Sequence, residues 1–256
     1  MIDTHCHLDA VEFDADREAV FASAIEAGVS QIVVPSVARA NFGAVASLCR
    51  EHVQCRAAYG IHPMYVDRAQ ESDMEALRTM LKNEPVVAVG EIGLDRFVEP
   101  RDEIKQHFYF VEQLKIAKEF DLPVVLHVRR AVDAVLKELR RMKLRGGIAH
   151  AFNGSRQQAD EFIKLGFVLG FGGALTFNRA LHIRELAAQL PIESIVLETD
   201  APDISPHWLN GSRNSPDQLP QISQTLADLR AVAVTEIISA TNKNAIRALP
   251  RLAALH

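Results

Sequence analysis

The chain is poor in cysteine, with three in 256 residues, Cys6, Cys49 and Cys55, an odd number with no CxxC pair among them. That excludes a disulfide framework and a thiolate zinc site, and three reduced thiols are expected. Long apolar runs are missing as well: none approaches the ~20 residues that a membrane helix requires. The N-terminus opens with Asp3 and two histidines where a signal peptide would carry a basic and then an apolar stretch. The expectation is a cytoplasmic protein with no membrane contact, and nothing implies an obligate protein partner. An excess of positive charge is also lacking. With 33 acidic against 28 basic residues the net charge is -5, so any recognition of phosphate must be local rather than spread over a basic face. Hydrophobic residues at 48% and charged residues at 24% exclude collagen-like, disordered low-complexity and fibrous chains.

What the sequence does have is a rhythm of short apolar runs alternating with amphipathic stretches. The first run, 2–7, is followed by Phe13, Val20, Phe21 and Ala24 at helical spacing, ended by Gly28, which is placed for a left-handed C-cap. Further strands are read at 31–37, 55–62, 85–91, 122–127, 147–150, 167–173 and 193–200, with helices near 39–52, 73–84, 101–120, 131–143, 155–165 and 181–190. In the helix at 101–120, Ile104, Phe108, Val111 and Leu114 recur at the spacing of one face. A loop rich in Pro, Asn and Ser, 201–216, precedes helices at 217–230 and 235–248. Apolar strands in strict alternation with helices predict a parallel sheet buried on both faces. Eight such units in this length predict a (β/α)8 barrel of TIM type, one domain over residues 1–256 with an extra C-terminal helix. A doubly wound open sheet is the alternative, disfavoured because no glycine-rich phosphate loop follows the first strand.

A barrel carries its active site at the C-terminal ends of its strands. The residues found there are His5 and His7 on the first strand, His62 on the third, Glu91 on the fourth, His127 on the fifth, His150 on the sixth and Asp200 on the eighth. Alternation along the first strand sends His5 and His7 inward and Cys6 toward the helices. Gathering so many ionisable groups in one cavity is costly unless a cation compensates. Imidazoles and carboxylates without thiolate suit a catalytic divalent metal, and six ligands exceed what one catalytic zinc uses. Two cations bridged by Glu91 would use them all, with His5, His7, Glu91 and Asp200 on one metal and Glu91, His127 and His150 on the other, poised to polarise a water. Asp200 is in addition placed to take a proton from that water. Glu198 shares its parity and is either an orienter of a ligand histidine or a buried salt-bridge partner.

The motifs DTHCHLD (3–9), GIHP (60–63), GEIGLD (90–95), LPVVLHVRR (122–130), HAFNGS (150–155) and LETDAP (197–202), followed by the weaker RNSP (213–216) and TNKNAIRAL (241–249), resemble in order those of the TatD-family metal-dependent hydrolases, and within them the YjjV-like branch. The resemblance spans nearly the whole chain. It implies a TIM-like barrel, a divalent metal site on His5, His7, Glu91, His127, His150 and Asp200, and hydrolysis of phosphodiester bonds in DNA. Two residues depart from the pattern: Arg96 stands where an aromatic often follows GLD, and Ser215 replaces an acidic residue often seen after RN. Both bear on substrate choice more than on metal binding.

The expected function is therefore a divalent-metal hydrolase of DNA or nucleotidic substrates, using two cations of zinc, manganese, magnesium or cobalt. Arg129, two residues beyond His127 with the same parity, is a candidate phosphate clamp or a rim salt bridge, while Arg130 points the other way. Arg213 lies in the loop after strand eight, where barrels often bind phosphate. His62 could donate to a leaving group, orient a phosphate, or be a hydrogen-bonded rim histidine. Asp95 reads as an orienter of a ligand histidine. The basic run Lys137, Arg140, Arg141, Lys143 and Arg145 falls at a helix C-terminus on the opposite face, complementing the helix dipole. An amide or ester hydrolase of amidohydrolase type is the alternative, though Glu91 stands where those enzymes often carry a modified lysine. A metal-binding scaffold without catalysis is a third reading.

Overall fold

A computed structural model of the chain describes residues 1–253; His256, a histidine outside the strand-end pattern, lies outside the described residues. Among the described residues eight strands form one sheet in chain order, and each paired neighbour is parallel: β1 (Ile2–Asp3), β2 (Gln31–Pro35), β3 (Cys55–Tyr59), β4 (Val86–Asp95), β5 (Val124–Arg129), β6 (Gly147–Ala149), β7 (Phe167–Phe171) and β8 (Ile195–Leu197). The two ends meet through the backbone. Thr4 N–H donates to the Leu197 carbonyl at 3.1 Å and Asp200 N–H to the His5 carbonyl at 2.8 Å, which closes the barrel expected from the alternation.

The helices are α1 (Arg17–Glu26), α2 (Phe42–Glu51), α3 (Ser72–Asn83), α4 (Glu103–Glu119), α5 (Val132–Met142), α6 (Arg156–Lys164), α7 (Leu181–Gln189), α8 (Leu219–Arg230) and α9 (Val234–Ala248). Inside the barrel, Ile2, Val33, Ala58, Val125, Ile148 and Val168 pack with Leu249 and Leu252 from the turn beyond α9. That turn plugs the end of the barrel away from the strand C-termini. Each of the two leucines is fully buried, worth about 1.5–3 kcal/mol apiece. The larger cluster lies between strands and helices and includes Cys6, as the alternation argument requires. All three cysteines are free thiols. No helix among the described residues is long and apolar enough to cross a membrane.

Several expectations need correction. α1 starts only at Arg17, after a short 3-10 turn at Val11–Phe13, so Phe13 packs from that turn and not from the helix. The strand at 85–91 continues to Asp95, and that at 122–127 is displaced to 124–129, whereas 193–200 contracts to 195–197. The apolar face assigned to the fourth helix is largely wrong: Ile104 is 85% and Phe108 41% exposed. α4 instead turns Gln106 and Gln113 inward beside Tyr109 and Phe110. Gln106 Oε1 accepts from Asp95 N–H at 3.0 Å, and the Gln113 amide exchanges two bonds with the Ile61 backbone, at 2.6 and 3.0 Å. These buried amides satisfy strand-end backbone groups that would otherwise be unpaired, a role invisible to hydrophobic periodicity. In the basic run at the end of α5 the three arginines are spent on ion pairs, Arg140 with Glu161, Arg141 with Glu138 and Arg145 with Asp121.

Candidate metal centre

The strand ends converge on one buried carboxylate. Glu91 sits where β4 shifts register against β5, between Val89 and Ile92, an irregularity of the kind that re-aims a side chain. Two residues on, Gly93 has φ +152°, and a Cβ there would run into the His127 carbonyl. Glycine alone lets the two strands approach this closely at the level of the site.

The two oxygens of Glu91 face different rings. Oε2 lies 3.1 Å from His5 Nε2 and 3.4 Å from His7 Nε2. Oε1 lies 2.8 Å from His150 Nε2, 3.0 Å from His127 Nδ1 and 3.4 Å from His62 Nε2. Asp200 joins the first group, its Oδ1 3.5 Å from His5 Nε2 and 3.9 Å from His7 Nε2. Three overlapping triads have ligand atoms close enough to share an ion: His5, His7 and Asp200; His5, Glu91 and His150; His62, Glu91 and His127. All six residues of the expected ligand set are thus brought together. The division between two metals is less clean than the sequence suggested, because the ring of His150 stacks on that of His5, centroids 3.9 Å apart, and His62 is drawn in beside His127.

Hydrogen bonds on the outer side of three rings decide what each presents inward. His7 Nδ1 faces the Pro35 carbonyl at 3.2 Å. A carbonyl can only accept, so Nδ1 carries the proton and Nε2 turns a lone pair toward Glu91 and Asp200. His127 Nε2 donates to Asp95 Oδ2 at 2.9 Å, which leaves the lone pair on Nδ1. His62 is opposite: its Nδ1 accepts from Met64 N–H at 3.1 Å, so its proton sits on Nε2 and points inward. Burial, reinforced by neighbouring imidazoles, pushes His62 down to about 4 against the pull of Glu91, which keeps the ring neutral and this tautomer in place. His62 is therefore a donor rather than a ligand.

The inward nitrogens of His7 and His127 face carboxylate oxygens, a contact that repels unless a proton or a metal cation lies between them. The field of the site is suited to one. Although burial opposes it, Glu91 and Asp200 hold His150 up at about 10 and His7 at about 9. Burial would raise Glu91, yet the surrounding rings, His150, His62 and His5 foremost, keep it well below the usual carboxylate range. A pocket that attracts protons this strongly onto imidazoles fits a divalent cation.

Supporting groups are visible around the ligands. The Asp95 carboxylate accepts from His127 through Oδ2 and from the Phe97 and Val98 N–H groups through Oδ1, at 2.7 and 3.0 Å. In Asp95→Asn an NH2 group would face His127 Nε2 and could not accept its proton. Metal affinity is expected to fall roughly 10- to 100-fold, read by competition with a colorimetric chelator; unchanged affinity would contradict this support. Of the two readings offered for Glu198, the structure favours the buried ion-pair partner over an orienter hydrogen-bonded to a ligand histidine. Its Oε1 accepts from Ala151 N–H at 2.5 Å and lies 3.9 Å from His150 Nδ1, beyond hydrogen-bonding reach. It fixes the backbone after His150, in space that a side chain at residue 170 would fill, and burial raises its carboxyl to about 8.

Asp3 accepts from His5 N–H, Thr199 N–H and Thr199 Oγ1, at 3.2, 3.0 and 2.6 Å, binding the His5 segment to the Asp200 segment across the seam. Asn214, from the RNSP motif, donates to the Thr199 and Asp203 carbonyls, both at 2.8 Å, and so holds the loop in which Asp200 adopts φ +58°.

The centre opens into a cleft of about 1280 Å3. Arg129 and Arg130 both line it, each guanidinium against the ring of Phe97. The expectation that Arg130 faces away is overturned: its φ of +55° breaks the strand alternation. Phe97 has no sequence signal beyond being an aromatic one residue later than the family motif places it. Arg213 is not among the residues lining the cleft. It is committed to Asp16, with contacts of 2.9 and 2.6 Å, and lies over the ring of Phe13. A loop arginine so neutralised is a poor phosphate clamp.

Comparison with known proteins adds an independent line. The pattern of the TatD related DNase family matches residues 2–250. The chain is 42% identical over 246 residues to the uncharacterized metal-dependent hydrolase YjjV of Escherichia coli K12, covering 95% of each chain. It is 31% identical over 254 residues to the 3'-5' ssDNA/RNA exonuclease TatD of the same strain, covering 95% of this chain and 96% of TatD. The crystal structure of YjjV superposes with a TM-score of 0.94 at 40% identity over 98% of both chains.

Proposed function

The chain belongs to the TatD related DNase family, and from that premise we propose that it is a metal-dependent phosphodiesterase acting on the ends of single-stranded nucleic acid, in the cytoplasm. The observation that carries this reading is Glu91, whose two oxygens each face a separate set of imidazole nitrogens. The donor set fits two divalent cations, zinc, manganese, magnesium or cobalt: His5, His7 and Asp200 would hold one, His127 and His150 the other, and Glu91 would offer an oxygen to each. When bound, such cations acidify water and offset charge on the phosphate. The exonuclease activity of the relative TatD supports the choice of substrate.

The chain's own residues supply the remaining roles. Asp200 accepts the proton of the attacking water. His62, neutral with Nε2–H turned inward, donates a hydrogen bond to a phosphate or leaving-group oxygen. Arg129, on the rim two residues beyond His127, offers its guanidinium to a substrate phosphate. The amidohydrolase alternative has less support, since no lysine is among the described residues lining the cleft. The test is metal analysis of the purified protein together with cleavage of a single-stranded oligonucleotide. We expect about two metals per chain, loss of cleavage on chelation, and recovery on adding back Mn, Mg or Zn. Metal-loaded protein that cleaves neither an oligonucleotide nor bis(p-nitrophenyl) phosphate would overturn the reading.

A further inference from the structure

Two of the arginines near the site are already neutralised: Arg96 faces Glu103 and Arg213 is paired with Asp16. Arg129 and Arg130 are different. Among the described residues neither makes an ion pair, and both lie against Phe97, at 3.8 and 4.5 Å from the ring centroid. The two positive charges are thus no more than roughly 8 Å apart, about one Debye length at physiological salt. The pleat of β5 would send consecutive side chains to opposite faces. A left-handed backbone at Arg130, φ +55°, brings the second arginine to the same ring, and strained backbone of this kind persists where function requires it. Phe97 is itself 44% exposed, and its loop is tied by Asp95 to His127.

We propose that Phe97, Arg129 and Arg130 form a second phosphate station, which receives the phosphate next to the scissile one and so selects an extended single strand over an isolated nucleotide. This rests on the phosphodiesterase reading and specifies its substrate. Arg129 lies two residues beyond His127, an advance of about 6.6 Å along a strand, which is of the order of the step between phosphates in an extended chain. Guanidinium forks match phosphate oxygens. The Phe97 ring orders both forks from beneath, and its exposed part offers a surface on which a base stacks. A cleft of about 1280 Å3 exceeds the ~300–1,000 Å3 usual for a single small ligand.

The experiment compares the dinucleotide TpT, with one phosphate, and the trinucleotide TpTpT, with two, in wild type, Arg130→Gln and Phe97→Ala. In wild type, kcat/KM should be at least tenfold higher for the trimer, and each substitution should reduce that ratio about tenfold, mainly through KM. With a non-cleavable phosphorothioate trimer, the slope of log K against log salt should fall by about 0.7 in Arg130→Gln, one phosphate contact on a single strand, and recover in Arg130→Lys. A trimer-to-dimer ratio and salt slope unchanged by the substitutions would overturn the station while leaving the phosphodiesterase reading intact. Wild type that cleaves neither substrate would overturn both.

Discussion

Glu91→Ala is expected to remove nuclease activity by roughly 10³-fold or more, equivalent to about 4 kcal/mol of transition-state stabilisation, and to lower bound metal from about two per chain toward one. Glu91 is the group common to both halves of the centre: its Oε2 faces His5 and His7, its Oε1 faces His127 and His150. Without it, His5, His7 and Asp200 still form a ligand triad, whereas His127 and His150 lose the carboxylate oxygen that both rings face, Asp95 being engaged at the outer nitrogen of His127. One metal should therefore survive and the other should not. The measurement is elemental analysis of wild type and variant, with oligonucleotide cleavage in parallel. Retained activity, or two metals retained, would contradict a bridging carboxylate. Because removing one partner of buried charges is destabilising, the shape-conserving Glu91→Gln is measured beside Glu91→Ala, with the fold of each checked by circular dichroism.

Strand order, strand number and the gathering of six ionisable residues at one rim were legible in the sequence because each depends on local periodicity. Parity within a strand tells which side chains face inward, and barrel topology brings strand ends together whatever lies between them. Contacts that depend on partners distant in sequence were not legible. Arg213 looked free for phosphate, yet it meets Asp16, 197 residues earlier. Arg130 escaped because strand alternation assumes extended backbone, and its φ is +55°. His62 was rightly noticed but could not be sorted from its neighbours: what distinguishes it is the Met64 N–H that occupies Nδ1, a matter of hydrogen-bond geometry and not of residue type. The RNSP and TNKNAIRAL motifs, the weaker parts of the family resemblance, acquire structural meaning. Asn214 holds the Asp200 loop, and Asn244 donates to the Ile192 and Ile195 carbonyls, both at 2.7 Å, beneath β8.

Asp200→Asn should separate metal binding from proton transfer. The carboxylate sits 3.5 Å from His5 Nε2 and faces the cleft, so one side chain is positioned both to ligate and to accept a proton. Asparagine keeps an oxygen that can ligate weakly but has no basic site, and it also tolerates the left-handed backbone, φ +58°, so the loop should keep its shape. Loss of a general base costs roughly 10²- to 10⁴-fold in rate. We expect kcat to fall within that range with KM for an oligonucleotide changed by only a small factor, and metal still bound at saturating concentration. If kcat stays within tenfold of wild type, the proton goes elsewhere and Asp200 is a ligand alone. If an Asp200→Ala variant lost catalysis yet preserved a cellular role of the protein, the non-catalytic scaffold would regain ground. A fall in kcat restored by raising metal concentration would assign the whole effect to ligation, because a missing base is not replaced by more metal.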